Sequence, residues 1–221
     1  MVAPPKIRTK NTGKKYWPPK TLKKETDNMN EITEFLKNRR SVLIKLLDNA
    51  PIPEADIEEI LACGLRVPDH GVLGPWRIVT ITPETGAYLG QHILAPEFQR
   101  LNTEATEVML EFERQRFTRT GLVLAVLSTP VDHIKIPAWE MHLSAGAMCQ
   151  NLLHAALGLG YGAQWVTEWY AYNDKLLAEL GGNPPTDKCA GFIYIGYKKE
   201  EPKPRRRPEK KDIISSYIPP K

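Results

Sequence analysis

The stretch that decides the fold is Ala138 to Gly162, "AWEMHLSAGAMCQNLLHAALGLGYG". It has helical propensity throughout and is apolar almost all round. A helix like that is buried on every side, in a core or against a second subunit. Ser144, Ala145, Gly146 and Ala147 are small enough to let another backbone or a flat ligand come close. At the far end Gly158, Gly160 and Gly162 are spaced G-x-G-x-G. A dinucleotide fingerprint needs a strand before its glycines and a helix after them. Here a helix comes first, so the glycines read as a helix stop and a turn.

Two apolar runs lie on either side of this helix. "GLVLAVLST" before it and "KCAGFIYIGY" after it have strand length and no polar interruption, which suits buried strands. Further upstream, "WRIVTIT" has the β-branched content of a strand. "EITEFLKNRRS" starts a helix at Glu31, with Ile32, Phe35 and Leu36 on one face. "PIPEADIEEILACGLRVP" is a second helix. Pro53, Glu54 and Asp56 suit its first turn, Ile57, Ile60, Leu61 and Leu65 form its buried stripe, and Pro68 closes it. Residues 84–117 read as a polar helical region. The order of helices, strand, helix, strand, long helix, helix, strand indicates an α+β or α/β sandwich with helices covering a small sheet.

Composition narrows the function classes. With 42% hydrophobic and 25% charged residues the chain is ordinary for a soluble protein. No apolar run approaches the roughly 20 residues of a membrane helix. The first residues lack the apolar core of a secretory signal, so the cytoplasm is the expected location. The formal charge of +4 is unevenly spread. Residues 1–30 carry eight Lys/Arg against two Asp/Glu, and residues 198–221 nine against four. The body, 31–197, carries thirteen against twenty and is acidic. Three organisational units follow: a basic Pro/Lys-rich arm (1–30), a folded body (31–197) and a basic C-terminal extension (198–221). An acidic body disfavours nucleic-acid binding, which wants a basic face on the folded domain. Cys63, Cys149 and Cys189 are widely spaced without a CxxC pair, which implies reduced thiols and no zinc site. His133 and His142 flank Glu140 without a metal-binding spacing, and no activated nucleophile pattern occurs.

Three short segments carry chemistry. Arg39, Arg40 and Ser41 offer bidentate donors suited to a phosphate or an anionic ring edge, or else form a solvated helix end. "RVPDHGVLGPWR", Arg66 to Arg77, loads two arginines, an aspartate, a histidine and a tryptophan onto a Pro/Gly loop that no regular helix or central strand accommodates. "KPRRRPEKK" holds Arg205, Arg206 and Arg207 between two stiffening prolines, or else is a solvated basic tail.

Taken in order, "NRRS" (38–41), "RVPDHGVLGPWR" (66–77), "WEMHLSAGAMCQNLLHAALGLGYGAQWVT" (139–167) and "CAGFIYIGY" (189–197) resemble the FMN-dependent nitroreductase family, in its small single-domain bacterial branch. The resemblance spans the body from about residue 31 to 197. It implies a nitroreductase-like sandwich of helices around a small mixed sheet, in an intertwined homodimer with FMN at the interface. Arg39, Arg40 and Ser41 match positions that hold the FMN phosphate, ribityl chain and pyrimidine edge. Arg66 and His70 match positions reaching the partner's cofactor. Trp165, Val166 and Thr167 match a stretch along the isoalloxazine. Ala155, Ala156, Leu157, Gly158, Leu159 and Gly160 match a nicotinamide nucleotide contact, and Arg205 and Arg207 are favoured for the phosphate clamp.

The activity implied is hydride transfer from NADH or NADPH through FMN to a nitroaromatic or similar small acceptor, by a ping-pong mechanism. Flavin N5 carries the hydride, so no side chain is expected to be the catalyst and no metal is required. Two alternatives stand beside it. One is a flavoenzyme of the same fold with a dedicated substrate such as a quinone or activated alkene. The other is a non-enzymatic protein that binds flavin or nucleic acid through its basic arms.

Overall fold

The computed structural model describes residues 26–219, with side chains from residue 31, and the first 25 residues of the basic arm lie outside the described residues. The chain divides into two units, 1–38 and 39–221. In the first, helix α1 (Thr26–Asn38) starts five residues earlier than the sequence pattern suggests. Within it Lys37 and Asn38 both reach back to Glu34, at 2.9 and 3.1 Å.

The second unit is built on a four-stranded sheet of order β1-β2-β4-β3, with β1 Trp76–Ile81, β2 Leu122–Ser128, β3 Gly162–Val166 and β4 Lys188–Gly196. Every pairing is antiparallel, where a mixed sheet was expected. The apolar runs of β2 and β4 show that both faces of those strands are covered. They carry no information on strand direction, which the connections decide.

Strand alternation divides the core in two. Val123, Ala125, Leu127, Phe192 and Tyr194 face one side, and Leu122, Leu124, Val126, Ile193 and Ile195 the other. The first face is covered by α3 (Pro83–Leu89), by Ile93, Leu94 and Phe117, by α7 (Asp174–Glu179) with the turn Trp169–Tyr172, and by Val42, Ile44 and Leu47. Helices α4 (Ala95–Leu101) and α5 (Glu107–Arg114) pack on each other and on residues 90–94. A five-residue π-helical stretch, Gly90–Leu94, joins α3 to α4. Thr82 caps α3 and Thr106 caps α5, so two of the three helices of this polar region begin on a side-chain hydrogen bond.

The second face is covered by α2 (Glu54–Gly64) and the long helix α6 (Ala138–Gly158). Ile60 of α2 and Met148, Cys149 and Leu152 of α6 are fully buried between helices and sheet. Each such side chain contributes roughly 1.5–3 kcal/mol of burial. One expectation changes here: Leu65 lies beyond the end of α2 and is 54% exposed, so the stripe stops at Leu61. Of the two expected covers for α6, the core of this chain supplies only part: Trp139 is 66% and Leu143 54% exposed, leaving one apolar face open. The strand β3 was not expected at all, because the glycine turn before it hides its start. After β4 the tail carries one short helix, α8 (Lys210–Ile213).

Cys149 is buried and desolvation pushes its pKa well up, while Cys63 and Cys189 are half-buried and desolvation raises the Cys189 thiol to about 12.

Candidate functional site

The loop after α2 is stitched onto α6. Asp69 accepts from the backbone N–H of Leu73 at 3.1 Å and of Gly74 at 2.8 Å, closing a tight turn through Gly71 (φ 77) and Val72 (φ 55). Left-handed φ is costly for a β-branched residue, so Val72 is held there by the turn around it. The Trp76 indole donates to Ser144 Oγ at 2.8 Å, and Ser144 Oγ donates to the Pro68 carbonyl at 2.6 Å. One α6 hydroxyl therefore ties both ends of the loop. Asn151 donates to the Arg66 carbonyl at 2.9 Å. His70 Nδ1 lies 2.7 Å from Glu140 Oε2. A carboxylate only accepts, so Nδ1 carries the proton.

A second cluster forms where the segment after α1 meets β3 and the tail. The Val42 N–H donates to Ala163 O at 2.9 Å, and the Ile44 N–H to Gln164 Oε1 at 2.9 Å, laying residues 42–44 along the outer edge of β3. The tail returns here: Lys199 N–H donates to Leu46 O at 2.9 Å, and Arg40 Nε–H to Lys203 O at 3.1 Å. Burial, then the charges of Arg207 and Arg40, hold the Arg39 guanidinium below its ordinary pKa. Among the described residues no carboxylate lies within ion-pair distance of Arg39, Arg40, Arg205 or Arg207. Burial and then the Arg39 charge also lower the pKa of His154 on α6, whose Nε2 accepts from Gln150. Converging guanidiniums without a counter-charge suit a multiply charged anion such as a phosphomonoester.

The remaining expected residues fall near this second cluster or at the end of α6. Trp165 and Val166 lie in β3 and Thr167 follows it, with Trp165 36% exposed. Ala155 to Gly160 form the last turn and stop of α6. Gly160 takes φ 92, and Leu159 N–H donates to Ala155 O at 3.0 Å. Ala156 is fully buried, whereas Gly158, Leu159 and Gly160 are exposed.

The resemblance assigns Arg39, Arg40, Arg207 and the β3 stretch to one cofactor; in the structure Arg39 feels Arg207, Arg40 bonds Lys203, and residues 42–44 lie along Ala163 and Gln164. The fold does not bring His70 to them within one chain. His70 is tied to Glu140 and Arg39 acts on His154, and α6 separates those two residues by roughly 20 Å at about 1.5 Å per residue. Glu140 and Ser144 were not singled out for these roles. Only their positions on the open helix pointed to them, and their partners lie about 70 residues away.

Among the described residues no helix is long and apolar enough to cross a membrane. The sequence model of the Nitroreductase family matches residues 36–197. The chain is 30% identical over 171 residues to the Escherichia coli (strain K12) protein named "Putative NAD(P)H nitroreductase YdjA", covering 74% of this chain and 86% of that one. Its fold is similar to that of a nitroreductase-like family protein from Bacillus cereus, with a TM-score of 0.68 at 18% identity over 84% of this chain and 95% of the other. A Bacteroides fragilis nitroreductase solved with bound FMN gives 0.63 at 21% identity, over 86% of this chain and 100% of that one. The family match takes in the whole sheet, the loop tied to α6 and all but the tail of the arginine cluster, so the chain belongs to the nitroreductase family.

Proposed function

We propose that this protein is an FMN-dependent oxidoreductase that passes a hydride from NADH or NADPH to nitroaromatic or similarly electron-poor acceptors. The observation that carries the reading is the uncompensated cluster of Arg39, Arg40 and Arg207, drawn together where the tail meets the segment that runs along the outer edge of β3. These residues fit the phosphate of FMN, with Arg205 beside them on the tail. Trp165, Val166 and Thr167 would line the planar ring, and the exposed stop at Gly158–Gly160 would meet the nicotinamide nucleotide. When bound, FMN supplies the hydride chemistry in two successive half-reactions, first with the reduced nucleotide and then with the acceptor. The protein's part is to hold the ring, exclude water from one face and place donors where charge gathers.

The reading includes a homodimer in the cytoplasm. Three features support a second copy. The open face of α6 exposes Trp139 and Leu143. An apolar groove of about 230 Å³, lined by Leu61, Leu65, Trp76, Ile78, Thr80 and Met148, lies by the free edge of β1. The tail exposes Ile213, Ile214, Tyr217 and Ile218. A copy packed on α6 in the opposite sense would bring its Arg66 and His70 to the arginine cluster of the first, closing the roughly 20 Å gap.

The test is direct. Purified protein should be yellow, or take up FMN on reconstitution, and should bleach anaerobically with NADH or NADPH before an added nitroaromatic restores the colour. Protein that takes up no flavin sinks the reading, and bound flavin that neither nucleotide reduces leaves only a binding protein.

A further inference from the structure

Strand β4 does not run evenly against its neighbour. Val126 of β2 faces Gly191, but the next residue, Leu127, faces Cys189, so Ala190 has no partner and forms a bulge. On the other side of β4, β3 ends with Val166 opposite Phe192, one residue short of this point. The Ala190 carbonyl accepts instead from the Trp165 indole Nε1–H at 3.1 Å. Gly191 has φ 149, and a side chain there would run into the same indole. A Cβ would stand 2.5 Å from Cδ1, closer still to Nε1, and 3.1 Å from Val166 O. The indole of Trp165 thus occupies the place where residue 191 would carry a side chain, and the bulge supplies its acceptor.

We propose that Ala190 and Gly191 are positioning residues: they seat the Trp165 indole on β4 and keep it off the outer strip of β3 where the cofactor ring lies. The inference rests on the FMN reading above. An indole is comparable in area to much of a flavin ring, and an unseated one on a half-exposed edge strand would compete for the same ground. Seated, with its donor satisfied, it becomes a fixed wall. Both parts are needed, because the glycine gives the space and the bulged carbonyl gives the direction. Ile193, the cross-strand partner of Trp165, carries a full side chain, and the indole lies instead over the bare Gly191 two residues away on β4.

The experiment compares the parent with Gly191→Ala, Trp165→Phe, Trp165→Ala and the double variant Gly191→Ala/Trp165→Ala. FMN affinity is read from quenching of flavin fluorescence. The indole's surroundings are read by fluorine NMR of fluorotryptophan-labelled protein without flavin, with the Trp165 resonance identified by its loss in Trp165→Phe. Gly191→Ala should shift that resonance and weaken FMN binding about tenfold or more, as expulsion of a packed ring implies. The double variant should bind FMN within about threefold of Trp165→Ala alone, because the two changes act through one side chain. An unmoved resonance, or a double variant weakened as much again, overturns the proposal and leaves Gly191 a purely backbone requirement. Should Gly191→Ala fail to fold, Trp165→Phe decides. It keeps an aromatic ring, smaller than the indole, and loses the donor, so it should bind FMN at least about threefold more weakly at unchanged melting temperature, and parent-like affinity overturns the proposal. A parent that binds no flavin refutes the FMN reading instead, while the resonance comparison still tests the indole's seat.

Discussion

Arg40 donates its Nε–H to the carbonyl of Lys203 at 3.1 Å, joining the two basic segments of the chain across 163 residues. Two stretches that each read as solvated charge in isolation therefore share one place. Arg39 is desolvated there and feels Arg207, an arrangement that is unfavourable until an anion enters.

The first prediction follows from that imbalance. Replacing Arg39 or Arg207 by Ala should weaken FMN binding by about 10- to 100-fold, the range of a hydrogen bond to a charged group worth about 1.5–3 kcal/mol. Riboflavin, which lacks the phosphate, is the control: its affinity should hardly change. Parallel losses for both ligands would place the arginines elsewhere than at the phosphate.

The Ser144 hydroxyl gives a second. It accepts from Trp76 and donates to Pro68, so Ser144→Ala leaves one donor and one acceptor unmatched. The cost should be about 1–3 kcal/mol in urea denaturation. Limited proteolysis within residues 66–77 should quicken well beyond what the global loss accounts for, since the loop's anchor is gone. Uniform destabilisation with no local nicking would show the loop is held by Asp69 alone.

These two sites differ in how far the sequence revealed them. Strands β2 and β4 and helices α2 and α6 were legible because a buried strand or helix must be apolar in unbroken or periodic runs. Strand β3 was not, because it is five residues long, begins on the helix-stopping glycines and owes its extension to pairing with β4. The open face of α6 was hidden for a related reason: a helix apolar all round does not say which of its neighbours belongs to the same chain. At the site, the arginines were legible as residue types and their meeting was not. The Ser144 relay and the Ala190 bulge left no signal, since a serine in a helix and an Ala-Gly pair in a strand have commonplace readings.

Beneath α5 lies a buried ion pair. Arg116 bonds both oxygens of Glu113 at 2.7 Å, with side chains 8% and 2% exposed, and Glu168 and the Trp169 indole complete the group. Glu113→Ala should cost about 3 kcal/mol, because it leaves a buried guanidinium with only the half-exposed Glu168 as counter-charge. Glu113→Leu/Arg116→Met should lose less than either single change. Chemical denaturation of the three variants checks this, and additive losses would contradict it.

Glu97 gives a pH dependence of defined sign. Hydrogen bonds from Arg100 and then Asn173 lower its pKa to about 2 in the folded protein. The folded value is depressed, so the stability it contributes is complete above the ordinary carboxylate range and disappears as pH falls through about 2. Glu97→Gln should therefore be less stable than the parent near neutrality, and the gap should close on acidification across that window. A gap that stays constant would show that packing, not charge, accounts for the loss.

The last prediction concerns where one site begins and another ends. His70 is held at Glu140 and the arginine cluster acts on His154, so one chain offers the two halves at separate points along α6. If each flavin is shared between copies, one chain bearing Arg66→Ala/His70→Ala and another bearing Arg39→Ala/Arg207→Ala are each defective as homodimers. Their heterodimer, however, gathers all the defects into one site and leaves the other intact. Differently tagged chains, co-expressed and isolated as the mixed pair, should therefore bind one FMN per dimer at about parent affinity, while both homodimers bind at least about tenfold more weakly. A mixed pair as weak as its homodimers would mean that both halves of each site come from the same chain.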